Sequence, residues 1–249
     1  MDIQPASRFP KTTVDKLLSA ISFYQQVKAR DPVQYGVLMS ASRIETFQTG
    51  DKVIEQGSKN PWLYFLVRGQ LDVIADEHGP EMGYIVNQIT PGEVFGGLAS
   101  LLGTPRTATV TVAPNTREAV VFGTNFSIFG ELQDVSYVSF DTKLLYYQNL
   151  VHSLRWQLES NRIHFPQHSL AESHHKIKLY LGKRGTWEEL ESLEAQGKAL
   201  GQLVVDWNGV LPALLAKERL AEPRAAAVEH VHHAESAAHF PAGLKQVYI

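Results

Sequence analysis

Apolar residues recur at helical spacing near the start of the chain. Val14, Leu17, Leu18, Ile21 and Tyr24 share one face of VDKLLSAISFYQQVKA, which predicts a helix over 14–29. A second short helix is predicted over 33–39. From Ile44 to Phe122 the period changes. Short runs rich in Val, Ile, Phe, Tyr and Thr (WLYFLV, QLDVIA, GYIVNQI, TATVTV, EAVVF) are separated by turn signals: TGD at 49–51, RGQ at 68–70, EHGPEMG at 77–83, TPGE at 90–93 and APN at 113–115. Many short strands so spaced predict a sandwich or barrel rather than a βαβ fold.

Helical patterning returns at about Ser127, and one long helix is predicted from Asp141, a good N-cap, to Ile163. Leu144, Val151 and Leu158 lie seven residues apart, with Tyr147 and Leu154 as the second heptad set. That pattern fits a parallel coiled coil between two copies of the chain, and equally a helix packed on its own barrel. HFPQHS at 164–169 reads as a hinge. Beyond it, Thr186 and Glu189 form a capping box for a helix through TWEELESLEAQG that should end near Gly197. Further helices are expected in LPALLAKERLAE and RAAAVEHVHHAESAAH, separated by Pro223. The expected fold is α+β, with four stretches: a helical segment at 1–43, the β domain at 44–125, helices at 126–165, and a mostly helical segment at 166–249.

Composition narrows the function classes. The 249 residues are 44% hydrophobic and 20% charged, as in an ordinary globular protein. A net charge of −3 leaves no broad electrostatic footprint for nucleic acid. Cysteine is absent, which excludes disulfides, thiolate chemistry and cysteine-bound metal. The opening MDIQPASRFPKTT lacks the apolar core of a signal peptide, and no run of about 18 apolar residues is read along the chain. A cytoplasmic protein with no membrane association is expected.

The chemistry-bearing stretch is PGEVFGGLASLLGTPRTATVTV, residues 91–112. A glycine-rich turn at Phe95-Gly96-Gly97 leads into a short apolar turn from Leu98 to Leu102, followed by Pro105, Arg106 and Thr107 and then a strand. Glycine lets the backbone approach a ligand, and the N–H groups opening a short helix are donors for an anion. Arg106 adds a charge-assisted, bidentate partner for the same phosphate, and Thr107 a hydroxyl beside it.

This segment resembles the phosphate-binding cassette of cyclic-nucleotide-binding domains, F-G-E-L-A, a spacer, then P-R-(S/T/A)-A-(T/S)-V. Phe95, Gly96, Leu98, Ala99, Pro105, Arg106, Thr107, Ala108, Thr109 and Val110 match it in order. Upstream, Phe47, Gly50-Asp51, Val53-Ile54 and Gln56-Gly57 resemble the family's opening, and Tyr64-Phe65-Leu66-Val67 with Gly69 its next apolar run. The resemblance spans roughly 14–163 and implies a β-jelly-roll (double-stranded β-helix) barrel with a long helix after it, in a non-catalytic, signalling protein of the catabolite-activator superfamily's sensor type. It implies ligand contacts at Gly96, Gly97, Leu98, Ala99, Arg106 and Thr107. It also implies base contacts from the long helix, for which Gln148, Asn149 and His152 are the candidates.

One position departs from the pattern: Gly97 stands where the family has glutamate. In relatives that carboxylate accepts a hydrogen bond from the ribose 2′-hydroxyl. Its loss is worth roughly 1.5–3 kcal/mol, about ten- to a hundred-fold in affinity. The resemblance therefore leaves three occupants open: cyclic AMP or cyclic GMP held weakly through Arg106, a larger cyclic dinucleotide, or none, with Arg106 in an ordinary ion pair of a ligand-free adaptor. Glu93 precedes the turn and is a poor substitute.

Other readings are weaker. Cupin enzymes put several histidines on a metal inside such a barrel, whereas 44–125 holds only His78, in a turn. Eight of the ten histidines follow residue 163, among them His174-His175 and His230, His232, His233 and His239, without a regular metal-ligand spacing. Neither a nucleophile motif nor a catalytic residue is read, so no enzyme, cofactor or metal is expected. A catabolite-activator-type DNA-binding domain would fit the length of 166–249. That segment carries nine basic residues against ten acidic ones and no recognition helix with clustered Arg, Ser, Thr or Gln, so DNA is disfavoured. The expected partners are a second copy of the chain through 141–163 and an unidentified protein.

Overall fold

The computed structural model describes residues 2–75 and 84–221. The turn at 77–83 with His78, the helix expected in RAAAVEHVHHAESAAH and its histidines lie outside the described residues.

Among the described residues, nine strands form two antiparallel sheets. The first orders as β1 (Asp2–Pro5), β2 (Ser42–Gln48), β9 (Glu118–Asn125), β4 (Trp62–Arg68) and β7 (Val94–Phe95). The second orders as β3 (Lys52–Ile54), β8 (Thr109–Val112), β5 (Leu71–Ala75) and β6 (Tyr84–Ile89). These are the two faces of the jelly roll. Side chains alternate along a strand, so β4 explains itself: Tyr64 and Leu66 join Phe47, Phe95 and Val121 against Val73, Val110 and Ile89 of the opposite sheet. Leu63 and Phe65 point the other way, into a second core with the helices. WLYFLV is continuously apolar because both of its faces are buried.

The helix expected over 14–29 is broken. It becomes α1 (Lys11–Leu17), a 3₁₀ turn at Leu18–Ala20, and α2 (Ser22–Arg30). Ile21 is extended there, and the Leu18 carbonyl accepts from Gln25 Nε2 at 3.0 Å. The break lets Leu18, Ile21 and Tyr24 all reach the sheet, where the Tyr24 ring meets Phe65 and Phe122 edge-on. Next, α3 (Pro32–Ser40) starts one residue before the expected span, because Asp31 accepts from the N–H groups of Val33 and Gln34 at 3.0 Å each.

The long helix α5 spans Phe140–His164. Its cap is Ser139, whose Oγ accepts from Thr142 N–H at 3.3 Å; Asp141 lies in the first turn and is not the cap. Leu144, Val151, Leu154 and Leu158 are buried within the chain, in the core shared with α2 and with Leu190, Leu200 and Val204 further along the chain. The heptad seam thus packs intramolecularly, and these side chains are not free to face a second copy across residues 141–163. The helix ends where Phe165-Pro166 makes continuation costly.

The helix opened by Thr186 does not stop at Gly197. It runs as α6 from Trp187 to Ala221, through Pro212, and absorbs the helix expected separately in LPALLAKERLAE. Gly197 and Gly201 are packing positions rather than a cap. A Cβ at Gly197 would touch Leu150 of α5 at 3.4 Å, and one at Gly201 would lie 2.8 Å from Leu98. Contrary to the sequence reading, α6 is long and apolar enough to cross a bilayer by length and composition, with mean hydropathy 1.3 over its best window. Its Leu190, Leu200, Val204, Trp207 and Leu211 are buried in this chain's own core.

Candidate functional site

The glycine-rich turn becomes a turn, short helix and strand, as the residue pattern implies. Gly96 sits at φ 81°, a left-handed conformation that side-chain-bearing residues rarely adopt, and from it springs α4 (Gly97–Leu102). Gly103, at φ 66°, closes the helix. Thr104, Pro105 and Arg106 then lead the chain into β8.

Arg106 is the centre of the arrangement and is only 2% exposed. Its Nη1 donates to the Gly96 carbonyl. Its Nη2 reaches the Asn60 side-chain oxygen at 2.5 Å, the Asn60 carbonyl at 3.0 Å and the Trp62 carbonyl at 2.7 Å. The backbone locks the same residue in place: Arg106 N–H donates to Ser58 at 2.9 Å, and its carbonyl accepts from Gly57 N–H at 2.9 Å. Burial lowers the guanidinium pKa, with the neighbouring Tyr64 opposing that shift. Among the described residues no carboxylate pairs with Arg106, so the ordinary ion pair foreseen for a ligand-free barrel is not what forms. Two buried polar atoms beside it, Arg106 Nε and Thr107 Oγ1, have no hydrogen-bond partner among those residues. Buried groups are seldom left so.

Gly96, Gly97, Leu98 and Ala99 are all buried, and the Gly96 carbonyl is held by Arg106. The long-helix candidates are engaged with other groups or exposed. Gln148 donates to Glu189 of α6 at 3.2 Å, Asn149 bonds back to the Leu145 carbonyl of its own helix at 2.8 Å, and His152 is exposed. What meets the cassette helix instead is α6, through Leu98 and Leu101 against Gly201. Beside it, a cavity of about 280 Å³ is bounded by Ser100 and Leu101 of α4 and by Tyr146 and Tyr147 of α5. Glu93 stays in its turn, accepting from Thr90 N–H at 2.7 Å, and does not replace the missing glutamate.

Sequence reasoning missed Asn60, α6 and the tyrosine pair as neighbours of the site. Asn60 lies 46 residues from Arg106 in a loop with no periodic signal. Thr186 and Glu189 marked the start of α6, but Gly197 was read as its end, so the stretch that meets the cassette was missed.

Residues 44–129 match the family model described as cyclic nucleotide-binding domain. The cAMP-dependent protein kinase regulatory subunit of Mycosarcoma maydis is 27% identical over 105 residues, covering 42% of this chain and 19% of the relative. That of Mucor circinelloides f. lusitanicus is 32% identical over 94 residues, covering 38% and 19%. The cyclic nucleotide-gated potassium channel of Rhizobium etli is 24% identical over 113 residues, covering 45% of this chain and 29% of the channel. The chain thus spans about a fifth to under a third of the length of these relatives. The solved regulatory domain of Toxoplasma gondii PKA with cAMP is 20% identical, covering 55% of this chain and 49% of that one, with a TM-score of 0.43. Residues 44–129 of this chain form a cyclic nucleotide-binding domain, distantly related to those of kinase regulatory subunits and cyclic nucleotide-gated channels.

Proposed function

We propose that this protein is a non-catalytic regulator in which a phosphate-bearing ligand of the cyclic-nucleotide class docks at Gly96–Thr107 and changes the seating of α6. The observation that carries the reading is the direct packing of the cassette helix on α6: Leu98 of α4 fills the space that a Cβ at Gly201 would need. Any shift of α4 on ligand docking must move that contact, because close-packed interfaces do not deform continuously. Arg106 supplies the charge. Accepting a phosphate requires it to exchange some of its carbonyl partners for phosphate oxygens, and its unpartnered Nε and the Thr107 hydroxyl are ready donors. A ligand can shift the balance only by its preference for one of the two seatings.

The same Arg106 favours a second reading. A guanidinium already held by three carbonyls and the Asn60 amide is stable without a phosphate, as a ligand-free adaptor needs. A DNA-binding output has less support, since among the described residues 166–221 contain one 3₁₀ turn and one helix and no helix-turn-helix. Hydrogen exchange of the full chain with and without saturating cyclic AMP, cyclic GMP or cyclic di-GMP separates the first two readings. The regulator requires altered protection in both 96–107 and the α6 turn at Gly197–Gly201 with one of the three. Unaltered protection with all of them leaves the adaptor.

A further inference from the structure

Glu159, His174 and His175 lie outside the cassette, where the C-terminal half of α5 meets the 3₁₀ turn Ser173–Lys176. One ligand atom from each falls within 4.8 Å of the other two. Glu159 Oε2 is 3.1 Å from His174 Nε2 and 3.5 Å from His175 Nε2. Ligands about 2.0–2.1 Å from a tetrahedral zinc are about 3.3 Å apart, so these two separations bracket the required value. The outer partners are also present. His175 Nδ1 is 2.7 Å from Glu172 Oε2, which fixes that ring with Nε2 turned to the cluster, as the carboxylate behind a metal-bound histidine does. His174 is 3% exposed, and its Nδ1 has no partner among the described residues, so Nε2 is its engaged nitrogen.

We infer that Glu159, His174 and His175 bind a divalent transition ion of the zinc class, with Glu172 orienting His175 and a fourth position left to water or another ligand. Two imidazoles and one carboxylate suit zinc or cobalt and are poor for magnesium or calcium. Bound there, the ion ties α5 to the segment that leads into α6. Arg162 is its competitor: it grips both oxygens of Glu159, Nε to Oε2 at 2.9 Å and Nη2 to Oε1 at 2.6 Å.

The test is a cobalt(II) titration of the chelator-treated full chain, read from the visible ligand-field bands and followed by displacement with zinc(II). One equivalent of cobalt should saturate the bands and one of zinc should remove them. His175→Ala, at a half-exposed position where folding is not at risk, should weaken binding at least tenfold. Glu172→Gln should weaken it ten- to a hundred-fold. Arg162→Gln should tighten it by freeing Glu159, and a double His230→Ala/His233→Ala variant should bind as the parent does. Three results would overturn the site: no saturable binding, binding that survives His175→Ala, or binding lost with His230 and His233. Unchanged or weaker binding in Arg162→Gln would remove Glu159 from the ligand set.

Discussion

Gly201 of α6 lies against Leu98 of the cassette helix so closely that a Cβ on the glycine would stand 2.8 Å from Leu98 Cδ1. This contact joins the phosphate-cassette segment to the C-terminal helix without passing through α5. Gly201→Leu should overpack it and destabilise the fold by about 1–3 kcal/mol. Leu98→Ala in the same chain should recover part of that loss, giving a coupling of the sign expected for residues in contact. Urea denaturation of the four species of the cycle measures it. Additive effects would mean that the helices are not packed through this pair.

Arg106 should matter for stability whatever it binds. Removing it leaves the carbonyls of Gly96, Asn60 and Trp62 without their charged donor in a buried site. Hydrogen bonds to charged groups are worth about 1.5–3 kcal/mol, so Arg106→Ala should cost about 3 kcal/mol in a chemical melt. Arg106→Lys keeps the charge but not the planar fork, and should fall between. A melt of Arg106→Ala that overlays the parent's would mean the guanidinium is not seated on these carbonyls.

A pH effect is expected from Glu45, which is 2% exposed and accepts from Arg43 Nε at 2.7 Å. Burial raises its carboxyl pKa, and Arg43 opposes the rise only in part. A raised acid favours the folded state fully below the unfolded pKa, about 4.3, and that benefit is lost as pH rises through the folded value. Glu45→Gln keeps an acceptor for Arg43 and removes the titration. Its Tm should therefore gain on the parent's between pH 4 and pH 8. A Tm difference that is flat with pH, or that moves against the variant, would contradict the shift.

Much of the β domain was legible because its signals are local. WLYFLV and TATVTV are apolar runs bounded by turns, and the cassette is a contiguous string. β1 was not legible: DIQP is four residues long, ends in proline and is mostly exposed, and it exists because Gln4 and Pro5 pair with Ile44 and Arg43 far along the chain. Ser139 and Asp141 are both good caps by type, and only the geometry of the turn chooses Ser139. The heptads of α5 gave the apolar face but not its partner, since periodicity does not say whether the covering helix belongs to the same chain. Gly197 misled for a related reason. A glycine that admits Leu150 and Leu101 looks in sequence like one that ends a helix. The contacts of Arg106 were invisible because three of its four oxygens are backbone carbonyls, which no side-chain pattern reports, and the fourth belongs to Asn60, 46 residues away in a loop.

The central claim is that the cassette takes a cyclic-nucleotide-class phosphate, weakened by Gly97. Calorimetric titration of the parent chain and Gly97→Glu with cyclic AMP, cyclic GMP and cyclic di-GMP tests it most directly. The account predicts weak, saturable binding of one nucleotide by the parent. If that nucleotide is cyclic AMP or cyclic GMP, restoring the carboxylate partner of the ribose hydroxyl in Gly97→Glu should tighten it about ten- to a hundred-fold. If it is the dinucleotide, the same substitution should weaken it by filling the space. No heat from any of the three in either protein, with both folded, would contradict the account.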